Sequence, residues 1–173
     1  MTKLLLSVHV LASIVTIGPI TVAASMFPRF VKPQTGDDPS GEERTPATAA
    51  LLHRICRGYT VVGVVVPVFG IATGARMGVL GDAWLLVSIV LTAIAAGLLL
   101  MAILPGQERL LARPEAAGVG PGTGVDTDVD TATSEATRSA AARRLAMVTG
   151  IFNLLWAVVV VLMVVRPGST TGA

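Results

Sequence analysis

Two histidines and one cysteine are the side chains of this chain best suited to metal binding or nucleophilic chemistry. His9 stands inside the apolar run LLLSVHVLASIVTIGP and is the one titratable side chain in it. His53 and Cys56 occur three residues apart in LLHRICRG, which places them on one face of a helix. An ionisable group inside a bilayer costs enough free energy to count as a functional hypothesis. His9 therefore needs a specific partner.

The structural interpretation of His9 is a histidine hydrogen-bonded by a neighbouring hydroxyl or carbonyl group. Ser13 and Thr16 follow it at helical spacings of four and three, so all three side chains share one face. His9 lies about 7 Å from the start of its helix at 1.5 Å per residue. An antiparallel helix that begins at Ala83 brings Ser88 to a similar depth. This face is therefore predicted to contact protein rather than lipid.

The alternative interpretation makes His9 a ligand of haem b or copper, since neutral imidazole is a common metal ligand. His53 is predicted at the opposite face of the membrane, so the two imidazoles cannot bind one iron together. His53 and Cys56 supply two of the four ligands that a structural zinc ion needs. We expect no bound metal or cofactor and keep the haem or copper site as the alternative.

Small residues form a seam in GVVVPVFGIATG, where Gly63, Pro67, Gly70 and Gly74 recur at intervals of four, three and four. Pro67 lacks a backbone N–H and collides with the carbonyl of Gly63, which predicts a kink in mid-membrane. Gly70 and Gly74 permit close approach of a neighbouring helix. The seam is interpreted as a packing surface, with a gating hinge as the alternative.

The last apolar run places Thr149, Asn153 and Trp156 on one helix face. Asn153 lies near mid-bilayer, and its amide is expected to reach Thr16 or Thr92 in a bond worth about 1 kcal/mol. These stripes predict a bundle joined by hydroxyl groups, one amide and one imidazole. A small-solute path is a further alternative, and its lining would be Ser13, Thr16, Thr92 and Asn153.

The composition places the chain among membrane proteins, with 53% hydrophobic and 14% charged residues against roughly 25% charged in soluble domains. Four runs without a charged residue each approach the ~20 residues that cross the hydrocarbon as a helix. Barrel strands would instead alternate over segments of about ten residues. The prediction is all-α: one integral membrane domain, 1–173, forming a four-transmembrane-helix bundle with helices at about 4–27, 58–75, 83–104 and 145–165.

The basic residues predict the orientation. Ten of the 13 Lys and Arg residues lie in the two longer loops and their flanks, and the other three are Lys3, Arg76 and Arg166. The positive-inside rule then places both longer loops in the cytoplasm and both termini outside. Arg54 and Arg57 are interpreted as headgroup anchors. The Arg-rich, Ala-rich composition suggests a bacterial protein, which locates it in the inner membrane.

The loops offer few candidate sites. Thr45 and Pro46 form a helix-start signal, so the second helix is predicted to begin before the bilayer. The second loop, about 114–138, has a low-complexity composition that predicts disorder until Ser139. Its string GVGPGTG lacks the strand and the Gly-Lys-Ser/Thr of a phosphate loop. Its string DTDVDT has Thr131 and Thr137 where a calcium loop needs Gly and Glu, so an acidic linker is preferred.

The first run also has features of a cleaved signal peptide. Lys3 gives a short basic start, 4–17 an apolar core, and 22–24 a small-residue cleavage site. Arg29 and Lys32 follow immediately and form a stop-transfer flank. We therefore expect the first helix to be retained.

Enzymatic function is not expected from this sequence. No carboxylate lies within the four uncharged runs, and the chain carries no serine elbow, zinc motif or nucleotide loop. The chain resembles an uncharacterised family of small bacterial four-helix integral membrane proteins. Three segments carry the resemblance: LLLSVHVLASIVTIGP, LLHRICRGYTVVGVVVPVFG and LGDAWLLVSIVLTA. The His-bearing first helix more distantly resembles the membrane domains of copper-resistance proteins, whose several His and Met ligands are not evident here. The expectation is a non-enzymatic protein that packs with itself or a larger membrane complex, with a haem- or metal-binding redox subunit as the alternative.

Overall fold

The computed structural model describes residues 2–31, 45–116 and 127–168. Within these ranges every regular element is helical. The elements in chain order are α1 (Thr2–Phe30), α2 (Pro46–Gly63), α3 (Val65–Met77), α4 (Ala83–Leu98), a π-helical turn (Leu99–Ile103), α5 (Leu104–Ala116) and α6 (Thr127–Val165).

Four helical stretches are long and apolar enough to cross a membrane: Leu4–Phe30, Pro46–Met77, Ala83–Ala112 and Thr133–Val165. The predicted all-helical class with four such helices is confirmed. The stretches are longer than the predicted 4–27, 58–75, 83–104 and 145–165, because the helices continue into residues that carry charge. Arg54 and Arg57, for example, lie inside α2 with exposed side chains.

The second apolar stretch is interrupted close to Pro67, where the sequence predicts a kink. α2 ends at Gly63 and α3 begins at Val65, with Val64 between them. Pro67 stands in the first turn of α3, and its missing N–H would have bonded the Gly63 carbonyl. The interruption therefore falls one turn before the proline.

The sequence predicted that the third apolar stretch ends at Leu104, but the helix continues beyond this residue. It passes through the π-helical turn, where the Leu104 N–H donates to the Leu99 carbonyl, and continues as α5 to Ala116. Pro105 explains the turn, because its ring crowds the carbonyl four residues earlier and a π-helical turn accommodates this without ending the helix. The change places Gln107 and Glu108 on a helix that packs against α2.

The loops agree with the sequence in one case and differ in the other. Thr45 caps α2 as predicted, its hydroxyl accepting the Thr48 N–H at 3.4 Å, with Pro46 at the first helical position. α6 begins at Thr127, so 127–138 is helical where the sequence predicted disorder. The glycine-rich string and Asp126 lie outside the described residues. The calcium-loop alternative finds no loop at Asp128 and Asp130, which are part of α6.

The helices pack so that α1 contacts α2, α3 and α6, while α4 runs beside α6. The largest fully buried apolar side chains are Phe27, Phe152 and Ile103. Many apolar side chains face outward instead, including Leu11 at 64% and Val61 at 72% exposure, as expected for helices that face lipid. Trp84, in the first turn of α4, donates from Nε1 to Asp82 at 3.0 Å, and the Arg166 guanidinium lies 5.7 Å from its ring centroid.

Candidate functional site

His9 is held between α1 and α3. Its side chain is 7% exposed, and Nδ1 lies 3.1 Å from the Val66 carbonyl oxygen in the first turn of α3. A carbonyl only accepts, so Nδ1 carries the proton and donates. Of the two predicted partner types, a hydroxyl and a carbonyl, the carbonyl is therefore the one found. Ser88 is buried on α4, and its hydroxyl donates to the Trp84 carbonyl at 2.8 Å.

Glycines of the predicted seam create the room for these side chains. A Cβ on Gly70 would lie 2.9 Å from Cε1 of His9, and one on Gly63 would lie 3.4 Å from Cγ2 of Thr16. A Cβ on Gly74 would lie 2.9 Å from a methyl carbon of Leu85. The packing interpretation of the seam is therefore supported inside the chain, where α1 and Leu85 cover it.

A second buried polar group joins α2, α5 and α1. His53 Nδ1 donates to Oε1 of Gln107 at 3.0 Å, and Nε2 of Gln107 donates to Sγ of Cys56 at 3.7 Å. Cys56 in turn donates to the Ile20 carbonyl at 3.9 Å. We call His53, Gln107, Cys56 and the Ile20 carbonyl the Gln107 clasp. The clasp uses the polar atoms of the His-x-x-Cys pair for hydrogen bonds between helices.

Gln107 and Glu108 were missed by sequence reasoning, which ended the third span at Leu104. Gln107 is fully buried, while the Glu108 side chain is 58% exposed, with Oε1 3.7 Å from Nε2 of His53. The expectation that no carboxylate lies in an apolar span thus holds for 83–104 but not for the longer stretch Ala83–Ala112. The sequence signal for this site was the amide side chain in LPGQERLLAR. The charged residues beside it suggested a loop, so the amide was not recognised as buried.

The three candidate metal ligands, His9, His53 and Cys56, each make a hydrogen bond within the protein. The part of the chain that the structure describes contains no cluster of three or more His, Cys, Asp or Glu side chains that could hold a metal ion. His9 offers one nitrogen beside the Nδ1 that Val66 occupies. His53 and Cys56 lie on either side of the Gln107 amide, so a metal shared by them would have to displace it.

Most hydroxyl groups predicted to join helices bond within their own helix. Ser13 donates to the His9 carbonyl at 2.7 Å, and Thr92 donates to the Ser88 carbonyl at 2.7 Å. Ser88 bonds the carbonyl four residues before it in the same way. This local bonding satisfies a hydroxyl in an apolar setting without a partner helix. Thr16 is buried against Gly63.

Asn153 bonds a different residue from the two predicted. Its Nδ2 donates to Oγ of Ser25 at 3.1 Å, between α6 and α1, rather than to Thr16 or Thr92. Ser25 is exposed on the outer surface of the bundle. Thr149 and Trp156 lie on the same face of α6 as Asn153, and Thr149 is 2% exposed.

Comparison with family models, with curated proteins and with solved structures finds no match for this chain. The resemblance to a family of small bacterial membrane proteins therefore remains an expectation from the sequence.

Proposed function

We propose that this chain is a non-enzymatic, multi-pass protein of the bacterial inner membrane that acts by packing laterally against a second copy of itself or within a larger membrane complex. The hydrogen bond between Ser25 and Asn153 carries the proposal. It lies at the surface of the bundle, within two helical stretches that are otherwise apolar enough for lipid contact. Polar groups at such a position stabilise contacts between transmembrane helices.

The support comes from outward-facing residues. The glycine seam does not contribute, because side chains of the same chain already pack against it. Gly18 lies on the same face of α1 as Ser25, and Gly150 lies one turn before Asn153 on α6. A Cβ on either glycine would meet nothing within 4 Å. Gly18, Ser25, Gly150 and Asn153, named here the α1–α6 face, combine small residues with a polar pair, as contact faces of transmembrane helices do.

A second copy is the partner we favour for the α1–α6 face. A hydroxyl both donates and accepts, so Ser25 can bond the same residue of a partner across a two-fold axis. Closed two-fold dimers are the commonest oligomers, and their contacts pair one surface patch with itself. Gly18 and Gly150 would let the backbones of the two copies approach closely.

Native mass spectrometry of the full chain in mild detergent tests the proposal. We expect a dimer that Gly18→Leu and Gly150→Leu convert to monomer, because leucine fills the contact face. Gly58→Leu is the matched control, since Gly58 is also exposed and open but lies on α2. A monomeric wild-type protein with no copurifying partner would contradict the proposal. A larger heteromeric complex would support lateral packing but replace the second copy with another subunit.

A haem- or metal-binding redox subunit is the second candidate, and one observation favours it. Because Nδ1 of His9 donates to Val66, the neutral imidazole has its lone pair on Nε2, which is the arrangement of metal-binding histidines. A visible absorption spectrum of the purified protein separates the two candidates. A Soret band lost in both His9→Gln and His9→Leu would put the redox candidate first.

A further inference from the structure

Three buried polar atoms on one face of α6 have no partner within the part of the chain that the structure describes: Oγ1 of Thr149, Oδ1 of Asn153 and Nε1 of Trp156. The residues are spaced by four and three positions, so the side chains follow one another along about two turns. Leaving a buried polar group without a hydrogen bond is costly, and native proteins pair the great majority of them. Three such atoms on one helix face indicate that one ligand bonds all of them.

The chemistry of the three atoms selects that ligand. An indole N–H only donates, an amide oxygen only accepts, and a hydroxyl does both. Nδ2 of Asn153 is already used by Ser25, which leaves its oxygen for the site. A water molecule can accept from Trp156, donate to Asn153 and bond the Thr149 hydroxyl, which is the usual number of bonds for a buried water.

The neighbouring helix provides a suitable position. α6 runs antiparallel to α4 and α5, since Leu145 packs at Gly106 and Arg166 packs on Trp84 at the other end. Thr149, one turn from Leu145, therefore lies at the level of the π-helical turn Leu99–Ile103, which contacts α6. Turns of this kind locally widen a helix and often occur at functional sites.

We propose that Thr149, Asn153 and Trp156 form a binding site for an internal water molecule on α6, at the level of the π-helical turn. The site shares Asn153 with the α1–α6 face but uses a different atom of it: Oδ1 bonds the water, while Nδ2 bonds Ser25. The bound water makes the interior of the bundle hydrated at this level.

Solid-state NMR of the full chain in lipid bilayers provides the test. The chain has two tryptophans, so Trp84→Phe leaves Trp156 as the one indole N–H signal. We expect magnetisation transfer from water to the ¹⁵N-labelled indole of Trp156. Thr149→Val should shift the indole proton resonance and weaken the transfer, whereas Thr149→Ser, which keeps the hydroxyl, should preserve both. Absence of transfer in the parent protein would overturn the proposal.

Thermal unfolding adds a second test, because the change in Tm should have opposite signs for a hydrated and a dry site. If water is bound, Thr149→Val removes one of its bonds and should lower Tm by about 2–4 °C. If the site is dry, the same change removes an unpaired buried hydroxyl, so Tm should stay the same or rise. A raised Tm would therefore overturn the proposal. Thr73→Val is the control, because Thr73 is buried but bonded to the Phe69 carbonyl at 2.7 Å and should lose stability in either case.

Discussion

The imidazole of His9 is positioned by two contacts with α3. Its Nδ1 proton is directed at the Val66 carbonyl, and its Cε1 carbon lies against Gly70. The first contact gives the ring a hydrogen bond in an apolar setting, and the second depends on the absence of a side chain at Gly70. Both observations favour a structural role in fixing how α1 sits on α3, and each can be tested by substitution.

Substitution of His9 should have graded effects on stability. His9→Gln keeps an N–H donor of similar reach and should leave the free energy of unfolding nearly unchanged. His9→Leu leaves the Val66 carbonyl without this donor and should cost about 1 kcal/mol. Thermal unfolding in detergent measures both. Equal losses for the two variants would contradict the hydrogen-bonding role.

Gly70→Ala should destabilise the bundle, although alanine normally favours a helix over glycine. The new Cβ would meet the His9 ring at 2.9 Å, and the resulting shift should cost about 1–3 kcal/mol. Gly58→Ala is the matched control, because a Cβ there meets nothing and alanine favours helix by up to about 1 kcal/mol. Equal unfolding midpoints for the two variants would show that the His9 ring moves aside freely.

At the scale of elements, sequence patterns predicted which segments form helices but not how the helices are rotated against each other. Uncharged runs and the Thr45-Pro46 signal identify the helices, because hydrophobic length and capping are local properties. The pairing of Asn153 with Ser25 depends on the rotation of α6 about its axis, which spacing within α6 does not determine. Gln107 was missed for a different reason: the predicted span ended at Leu104, whereas the helix continues through the π-helical turn into α5.

The Gln107 clasp should hold α5 against α2. Gln107→Leu removes the acceptor of His53 and the donor to Cys56, leaving buried polar groups unpaired, which should cost about 2 kcal/mol. The loosened contact should also speed reaction of the buried Cys56 thiol with a permeant maleimide. Arg109→Ala, on the exposed side of the same helix, should change neither quantity. Unchanged labelling of Cys56 in Gln107→Leu would show that the clasp does not close this end of the bundle.

At the scale of the whole molecule, basic residues from distant parts of the chain gather at one end. Arg138 of α6 donates to the Val31 carbonyl just after α1, at 2.8 Å, so Arg29 and Arg138 lie near each other. The clasp brings α2 and α5 together, and both helices carry exposed arginines nearby, Arg54 and Arg109. Arg166 lies at the other end, on Trp84. A one-sided charge distribution of this kind is what orients a protein in a membrane.

The orientation prediction follows from that distribution: both charged loops inside and both termini outside. Single cysteines at Ser40, Ser134 and Thr170, introduced into a Cys56→Ala background, report it. An impermeant maleimide should label position 170 in intact cells, whereas positions 40 and 134 should react after the cells are lysed. Denatured protein provides the control that every cysteine can react. Labelling of 40 and 134 in intact cells, with 170 protected, would show that the bundle has the opposite orientation, and the arginine-rich end would then face outward against the rule that predicts it.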